Sequence, residues 1–171
     1  MTESCSSAKK IWISALLIVI VIGALTAFAY TSSNSALKDS VRQGMKSTAA
    51  VMATQVNASD LAGLKPGDET SPQYIAVAKH LQTMRSLDDN IINAYILKVN
   101  PDQTATFLVD DLMIDDPQGS AKIGEVSTSP DKMEIFTALS VPTASREPYT
   151  TKYGSFMSAY APIDDATGDS T

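Results

Sequence analysis

The hydrophobic residues of this chain fall in one continuous run near its start and in shorter periodic groups after it. The run covers residues 11–30, which are twenty residues without a charged side chain. A helix that rises ~1.5 Å per residue would make this run about 30 Å long, the thickness of a bilayer's hydrocarbon core. Lys9 and Lys10 directly precede the run, and basic residues beside a membrane span favour the cytoplasmic side. The pattern predicts a cytoplasmic tail over 1–10, a transmembrane helix over 11–30 and an extracytoplasmic region over 31–171.

A secretory signal peptide is the competing interpretation of the same run. Ala27-Phe28-Ala29 has the small-x-small form that a signal peptidase cleaves. The apolar region of a signal peptide, however, has about 7–15 residues, and this run is longer. Trp12 and Tyr30 lie at its two ends, where interfacial aromatic anchors are found. These features favour an uncleaved anchor in the cell membrane, and both interpretations export the rest of the chain.

An amphipathic helix is predicted over 35–56, shortly after the apolar run. Its apolar residues recur at steps of three and four, and charged residues lie on the other side. The apolar positions are Leu37, Val41, Met45, Ala49, Met52 and Val56. Four residues also fit a short heptad-like seam, namely Val41, Met45, Thr48 and Met52. Two interpretations stay open: the helix forms a homodimer contact that carries movement to the membrane, or it packs on its own domain.

A second helix and a β-hairpin follow along the chain. Ser71 and Pro72 are typical of a helix N-cap and of the first helical position. The buried stripe of this helix is expected at Tyr74, Val77, Ala78, Leu81, Met84 and Leu87. Residues 93–99 and 104–110 are rich in β-branched and aromatic side chains, and the four residues between them have turn chemistry. They predict two antiparallel strands joined by a short turn.

The remaining segments are predicted to form an acidic loop over 111–124, a short helix over 131–139 and a closing strand over 155–163. Acidic pairs lie in or beside the loop, at Asp110-Asp111 and Asp115-Asp116. Their spacing does not follow the Asp-x-Asp-x-Asp-Gly pattern of a calcium loop. We therefore expect a solvated loop and no metal site.

Composition limits the class of partner. Past residue 30 the chain has eleven Lys and Arg against eighteen Asp and Glu, a net charge of −7. This charge disfavours binding to phosphate backbones, so we expect no nucleic acid partner. The single cysteine, Cys5, precedes the membrane run, so the 141 exported residues have no disulfide. That length is typical of one domain held by its own hydrophobic core.

The sequence contains no recognisable catalytic motif. There is no GxSxG, no phosphate-binding P-loop and no GxGxxG. His80 is the only histidine, which excludes a multi-histidine metal site. Its place on the second predicted helix indicates a boundary or surface position. We expect a protein that is not an enzyme and carries no cofactor.

Segment 147–163 (EPYTTKYGSFMSAYAPI) carries a family resemblance. It resembles the characteristic block of Cache domains, the PAS-like extracytoplasmic sensors, also called PDC domains, of membrane-bound signalling receptors. The likeness includes Tyr149-Thr150, Gly154 after an aromatic residue, and an Asp-x-x-Gly turn at 165–168. Across 51–168, the resemblance implies an α+β fold. A PAS-like antiparallel sheet of about five strands would have long N-terminal helices packed on one side and a ligand pocket on the other.

The resemblance also implies what would come after the Asp-x-x-Gly turn. Such domains continue into a further strand, a second membrane helix and a cytoplasmic kinase, cyclase or chemotaxis module. This sequence ends at Thr171. We therefore expect the last sheet strand and the output module to be missing from it, because it is either a fragment or an orphan sensor that works through a partner.

Polar side chains on the predicted strands are the candidates for a ligand pocket. Strand alternation places Tyr95 on one face with Leu97 and Val99, and places Ser158 on one face with Phe156 and Tyr160. The ligand-binding residues are expected to be Tyr95, Asp110, Lys152, Ser158 and Tyr160. Arg85 and Arg146 are further cations that could meet a carboxylate. The other interpretation keeps both tyrosines in the core with satisfied hydroxyls.

These features predict a membrane-anchored extracytoplasmic sensor that binds a small molecule, such as a carboxylate or an amino acid, for signal transduction. The alternative is a non-catalytic, membrane-tethered interaction module without a small ligand, which would bind a partner through the helix over 35–56 or through an open sheet edge. A cavity bordered by Tyr95 and Tyr160 would support the sensor. A packed sheet face without a cavity would support the module.

Overall fold

The computed structural model describes residues 3–151 and 154–164. The molecule divides into two units, Met1–Val41 and Arg42–Thr171. Helix α1 (Glu3–Thr54) covers the described part of the first unit. The large apolar side chains described between Leu16 and Tyr30 are each more than half exposed. Part of α1 is thus long and apolar enough to cross a membrane, with a mean hydropathy of 2.0 and none of its most apolar stretch buried. An N-terminal signal sequence would meet the same criterion.

The helix predicted over 35–56 is confirmed as far as Thr54, where α1 ends, and α1 continues without a break through Thr31 to Asn34. In the second unit, Met52 packs against the hydrophobic core, so the helix contacts its own domain at this position. Leu37 and Val51 are exposed. A short 3₁₀ helix, Ala58–Asp60, follows α1.

Helix α2 (Pro72–Arg85) begins where the sequence predicts. The Ser71 side chain accepts a hydrogen bond of 3.2 Å from the Tyr74 N–H, so it caps one of the unpaired donors of the first turn. The stripe of α2 is buried at Tyr74, Val77, Ala78 and Leu81. Leu87, which was also expected in the stripe, lies beyond the helix end and is 83% exposed.

Strands β1 (Tyr95–Val99) and β2 (Ala105–Asp110) form the predicted antiparallel hairpin. Its turn is closed by the Asn100 N–H, which donates to the Thr104 carbonyl at 2.8 Å, and by Gln103, whose φ is +62°. The register shifts by one residue between Ile96 and Leu97, which marks a β-bulge.

The second edge of β2 is paired by residues 124–126, at the end of the predicted acidic loop and just after it. The Phe107 N–H donates to the Glu125 carbonyl, and the Gly124 N–H donates to the Phe107 carbonyl, both at 2.9 Å. Thr106 and Val126 form an isolated antiparallel bridge. This pairing covers backbone groups of β2 that would otherwise face solvent.

The two faces of the hairpin enter different core clusters, as strand alternation predicts. Ile96 and Val109 belong to a cluster that includes the buried stripe of α2. Tyr95, Leu97 and Val99 pack against a second cluster, formed by Ile135, Ala138 and Tyr160. The prediction that Tyr95, Leu97 and Val99 share one face is confirmed.

The rest of the described chain forms short elements. Helices α3 (Leu112–Asp115) and α4 (Lys132–Thr137) precede four strands. β3 (Thr143–Ala144) pairs with β6 (Ala159–Tyr160), and β4 (Tyr149–Thr151) pairs with β5 (Gly154–Phe156).

The predicted closing strand over 155–163 is therefore wrong as one element. Its first residues hydrogen-bond to β4 and its middle residues to β3, with Met157 and Ser158 between the two strands. Within the described ranges the strands form three two-stranded ladders, so the structure is α+β but the expected PAS-like sheet is not confirmed.

Candidate functional site

A group of hydroxyl side chains and one carboxylate meets beside the second core cluster. We call this group the polar cluster, and its members are Tyr95, Ser129, Asp131, Ser145, Tyr149, Ser158 and Tyr160. They come from β1, β4 and β6, from the N-cap position of α4, and from the segments next to them. Residues far apart in sequence are thus brought to one place, as in a binding site assembled by tertiary structure.

Ser145 is the centre of the polar cluster. It is fully buried, and its hydroxyl donates to Oδ2 of Asp131. The same hydroxyl lies 3.1 Å from the Ser158 carbonyl oxygen and accepts a 2.8 Å hydrogen bond from the Ser158 N–H. Because a serine hydroxyl has one proton, Asp131 and the Ser158 carbonyl compete for it.

The tyrosine hydroxyls complete the network. Tyr160 donates to Oδ2 of Asp131 at 3.5 Å and lies 3.3 Å from Ser129 Oγ. The hydroxyls of Tyr149 and Ser158 are 2.6 Å apart. The Tyr95 hydroxyl interacts with Ser158 and Tyr160. Burial raises the pKa of both Tyr95 and Tyr160, so these two phenols stay neutral and act as hydrogen-bond donors and acceptors.

Asp131 is the acidic member of the polar cluster. It is 7% exposed, and burial raises the pKa of its carboxyl, although the Ser145 hydroxyl opposes this rise. The negative charge of Glu134 adds to the rise and the Tyr160 hydroxyl opposes it. Within residues 3–151 and 154–164, no Lys, Arg or His forms an ion pair with Asp131. A buried carboxylate that has hydroxyl partners but no cation remains costly to ionise.

The structure brings three of the predicted ligand residues together, namely Tyr95, Ser158 and Tyr160. Lys152 lies outside the described residues. Asp110 is the partner of Tyr95 in the hairpin register, but its carboxylate is used locally. Its two oxygens accept backbone hydrogen bonds from Leu112 at 3.1 Å and from Ala121 at 2.8 Å.

The expectation that the acidic pairs are solvated is wrong for the pair Asp110-Asp111. Asp110 is 2% exposed and Asp111 is fully buried. Asp111 accepts hydrogen bonds from the Ala94 N–H at 3.0 Å and from Arg85 of α2, and Arg85 also pairs with Asp115 at 2.7 Å. These ion pairs hold α3 against α2. The sequence pattern does not predict this tertiary contact.

The other predicted cations are also engaged elsewhere. Arg85 takes part in the ion pairs with Asp111 and Asp115. Arg146 is largely exposed and lies 3.4 Å from Glu134.

The exposed position of His80 is confirmed, with a ring nitrogen 3.1 Å from the Gln55 carbonyl. In the described ranges, no group of three or more His, Cys, Asp or Glu side chains could hold a metal ion.

Sequence reasoning missed Ser129, Asp131, Ser145 and Tyr149 as members of the polar cluster. Asp131 follows Ser129-Pro130 at the start of α4, where an aspartate is normally explained as a helix cap. Its side chain makes no capping hydrogen bond and is used in the polar cluster instead. Tyr149 lies in the segment that resembles the Cache block, and this resemblance could have marked Tyr149 as a candidate site residue.

A shallow cleft of about 40 Å³ adjoins the polar cluster at Ser129. Its walls include Val126, Lys132, Ile135 and Phe136, whereas Tyr95 and Tyr160 do not line it. Ligand sites for drug-sized molecules are typically ~300–1,000 Å³. In this conformation the cleft therefore has room for water or for a very small group.

Arg42 of α1 binds the strand that carries Ser145. Its Nε donates to the Ser145 carbonyl oxygen at 2.9 Å, and its terminal nitrogen donates to the Ala144 carbonyl oxygen at 3.3 Å. Both contacts lie inside the second unit. They connect α1 to the residue that holds Asp131.

Comparison with known proteins gives no match for this chain, whether against family models, curated proteins or solved structures.

Proposed function

We propose that this chain is a membrane-anchored extracytoplasmic sensor of Cache type, which binds a small molecule at the polar cluster and reports occupancy through α1. The N-terminus would be cytoplasmic and the second unit exported. Support comes from the apolar part of α1 and from three expected ligand residues that meet at one site, Tyr95, Ser158 and Tyr160.

The observation that carries this proposal is the pair of contacts made by Ser145. Its hydroxyl belongs to the polar cluster, and its carbonyl oxygen accepts from Arg42 of α1. A change at Asp131 therefore reaches α1 through one residue.

The proposed switch uses the single proton of the Ser145 hydroxyl. A ligand that donates to Asp131 replaces Ser145 there, and the Ser145 hydroxyl then turns fully to the Ser158 carbonyl, 3.1 Å away. Because Ser145 and Ser158 also join β3 to β6 through the Ser145 N–H, the shift changes the geometry of β3. Arg42 follows the β3 carbonyl groups and displaces α1.

A homodimer through residues 35–56 is part of this proposal. Leu37 and Val41, both in the first unit, are exposed apolar residues on α1 that a second copy could cover. Met52 is excluded from such a contact because it packs against the core of its own unit.

The experiment is a thermal-unfolding screen of the full chain in detergent, with small amines, amino acids and carboxylates as the compounds. A compound that binds only the folded state raises the melting temperature. Tyr160→Phe should weaken binding by about 0.5–1.5 kcal/mol, because it removes one hydroxyl and keeps the ring. Tyr30→Phe is the matched control, since Tyr30 is exposed and belongs to the first unit.

The interaction module remains a second candidate because the cleft beside the polar cluster measures only about 40 Å³. In that case the tyrosines and serines are structural, and no compound raises the melting temperature. Tyr160→Phe would then alter the free energy of unfolding alone. That pair of results would reject the sensor.

A further inference from the structure

The charge distribution of the polar cluster restricts the class of ligand. Asp131 is its acidic residue, is nearly buried, and has no ion-pair partner in the described ranges. Lys132 follows it in sequence but is exposed, and Glu134 is already opposite Arg146. A ligand that enters here meets an unneutralised carboxylate, so a positive charge on the ligand is favoured and a negative one is opposed.

The remaining members of the polar cluster suit the same type of ligand. The Ser158 carbonyl and the Tyr160 hydroxyl supply acceptor oxygens near Asp131, and the Tyr149 hydroxyl lies beside that of Ser158. An ammonium group has only donors to offer. Three tyrosine hydroxyls, those of Tyr95, Tyr149 and Tyr160, belong to the group. Tyr95 also stacks edge-on against Phe107, with the ring centroids 5.3 Å apart.

Anionic groups find no comparable support among the described residues. Arg85 is paired with Asp111 and Asp115, and Arg146 is largely exposed beside Glu134. Arg42 binds the far side of Ser145, at its backbone carbonyl. A simple carboxylate that approached Asp131 would meet only the exposed Lys132, at the wall of the cleft, as a compensating cation among the described residues.

The adjoining cleft indicates the size and the entry route. It reaches the polar cluster at Ser129, whose Oγ lies 3.3 Å from the Tyr160 hydroxyl. A ligand entering from the cleft would separate these two groups to reach Asp131. The small volume of about 40 Å³ favours a compact head group over an extended molecule.

From this arrangement we infer that the polar cluster binds a small organic cation, a primary amine or a methylated ammonium, with Asp131 as its counter-ion and the tyrosines around it. The inference rests on the proposed sensor function and names its ligand class. It replaces the carboxylate that the sequence suggested as ligand, and it gives Asp131 the leading role instead of Lys152.

The test uses the full chain in detergent at neutral pH and constant ionic strength. Ethanolamine and methylammonium are the cationic probes, acetate is the anionic probe and glycerol is the neutral one. The cations should raise the melting temperature of the wild type, and acetate should not. Asp131→Asn keeps the shape of the side chain and should weaken cation binding ~10-fold or more, the usual effect of losing a charged hydrogen-bond partner.

Glu134→Gln is the matched control, because it removes one negative charge from the same helix outside the polar cluster. Its cation affinity should stay close to that of the wild type. Equal losses in both variants would indicate nonspecific charge attraction and overturn the inference.

The remaining outcomes separate this inference from the proposed function. If acetate or glycerol raises the melting temperature and Tyr160→Phe weakens that effect, the sensor stands and the cationic ligand class is wrong. If no probe and no compound of the wider screen changes the melting temperature, both are wrong.

Discussion

The guanidinium of Arg42 donates to the carbonyl oxygen of Ser145 at 2.9 Å, across 103 positions of sequence. The side chain of Ser145, on the same residue, donates to the buried carboxylate of Asp131. One residue therefore contacts both α1 and the polar cluster. We therefore expect a change in the polar cluster, such as ligand binding, to be accompanied by a change at α1.

Arg42→Ala should lower the free energy of unfolding of the full chain by about 1.5–3 kcal/mol, because it removes a charged donor from the Ala144 and Ser145 carbonyls. Arg42→Lys should cost less, since it keeps the charge but not the two-pronged geometry. Chemical unfolding followed by the tyrosine near-ultraviolet signal measures both. Lys46→Ala, one turn later on α1, is the control and should have little effect. Equal losses for Lys46→Ala and Arg42→Ala would contradict a specific contact.

Arg42→Ala should also disconnect α1 from the polar cluster. A fluorophore can be placed at Gly44→Cys in a Cys5→Ser background, since an added Cβ at Gly44 meets no atom within 4 Å. A compound that raises the melting temperature should change the emission in the otherwise wild-type chain and leave it unchanged with Arg42→Ala. If the emission still changes with Arg42→Ala, contacts other than those of Arg42 couple α1 to the polar cluster.

Asp131→Asn should alter the pH dependence of stability. Burial raises the pKa of Asp131 in the folded state above its ordinary value of 3.8, so the folded chain binds this proton more tightly than the unfolded chain. The contribution of Asp131 to stability is then greatest at low pH and falls as pH rises through the interval between the unfolded and folded pKa values. The stability of Asp131→Asn relative to the wild type should rise across that interval and level off above it.

Asp115→Asn is the control for the pH experiment, because the contribution of Asp115 to stability should change with pH in the opposite direction. The Gln82 side chain, and then Arg85, lower the pKa of the Asp115 carboxyl. Its contribution is therefore present above the unfolded pKa and is lost as pH falls. Unfolding measured in urea at a series of pH values tests both variants. A relative stability of Asp131→Asn that does not change with pH would contradict the buried, unpaired carboxylate.

Arg85→Leu should be strongly destabilising, by about 3 kcal/mol, because it leaves the buried Asp111 without its cation. Asp115→Asn removes the other partner of Arg85. The Asp115 side chain is 52% exposed, so this change should have little effect on stability, because water screens an exposed ion pair. Adding Asp111→Asn to Arg85→Leu should recover part of the loss, since it removes the unpaired charge. Urea unfolding of the three variants measures these differences. Similar losses of stability for Arg85→Leu and Asp115→Asn would contradict the importance of the Arg85–Asp111 ion pair.

The topology can be tested on intact cells. With an uncleaved anchor and a cytoplasmic N-terminus, added protease should remove the exported region and leave a membrane fragment that contains Cys5. A membrane-impermeant thiol reagent should not label Cys5 before the cells are opened. Labelling from outside would reverse the orientation, and a released product that begins at Tyr30 would identify a signal peptide.

Local chemistry made several elements predictable. The cap at Ser71-Pro72 and the turn between β1 and β2 depend on residues within a few positions of each other, so the sequence contains all of the relevant interactions. The face shared by Tyr95, Leu97 and Val99 follows from strand alternation. The prediction of a membrane-spanning helix over 11–30 likewise depends only on the composition and length of that run.

Long-range contacts decided the rest. Periodicity indicates which faces are apolar, but it does not indicate which polar side chains become partners after the faces pack. Asp110 and Asp111 look like solvated loop residues in the sequence and are buried by backbone donors and by Arg85. The closing strand divides because its two halves pair with different segments, and Asp131 becomes a buried carboxylate because Ser145 approaches it in space. These hydrogen bonds join residues too far apart for any local pattern to encode, so only the tertiary structure showed that Asp131 and Ser145 join Tyr95, Ser158 and Tyr160 in the candidate site.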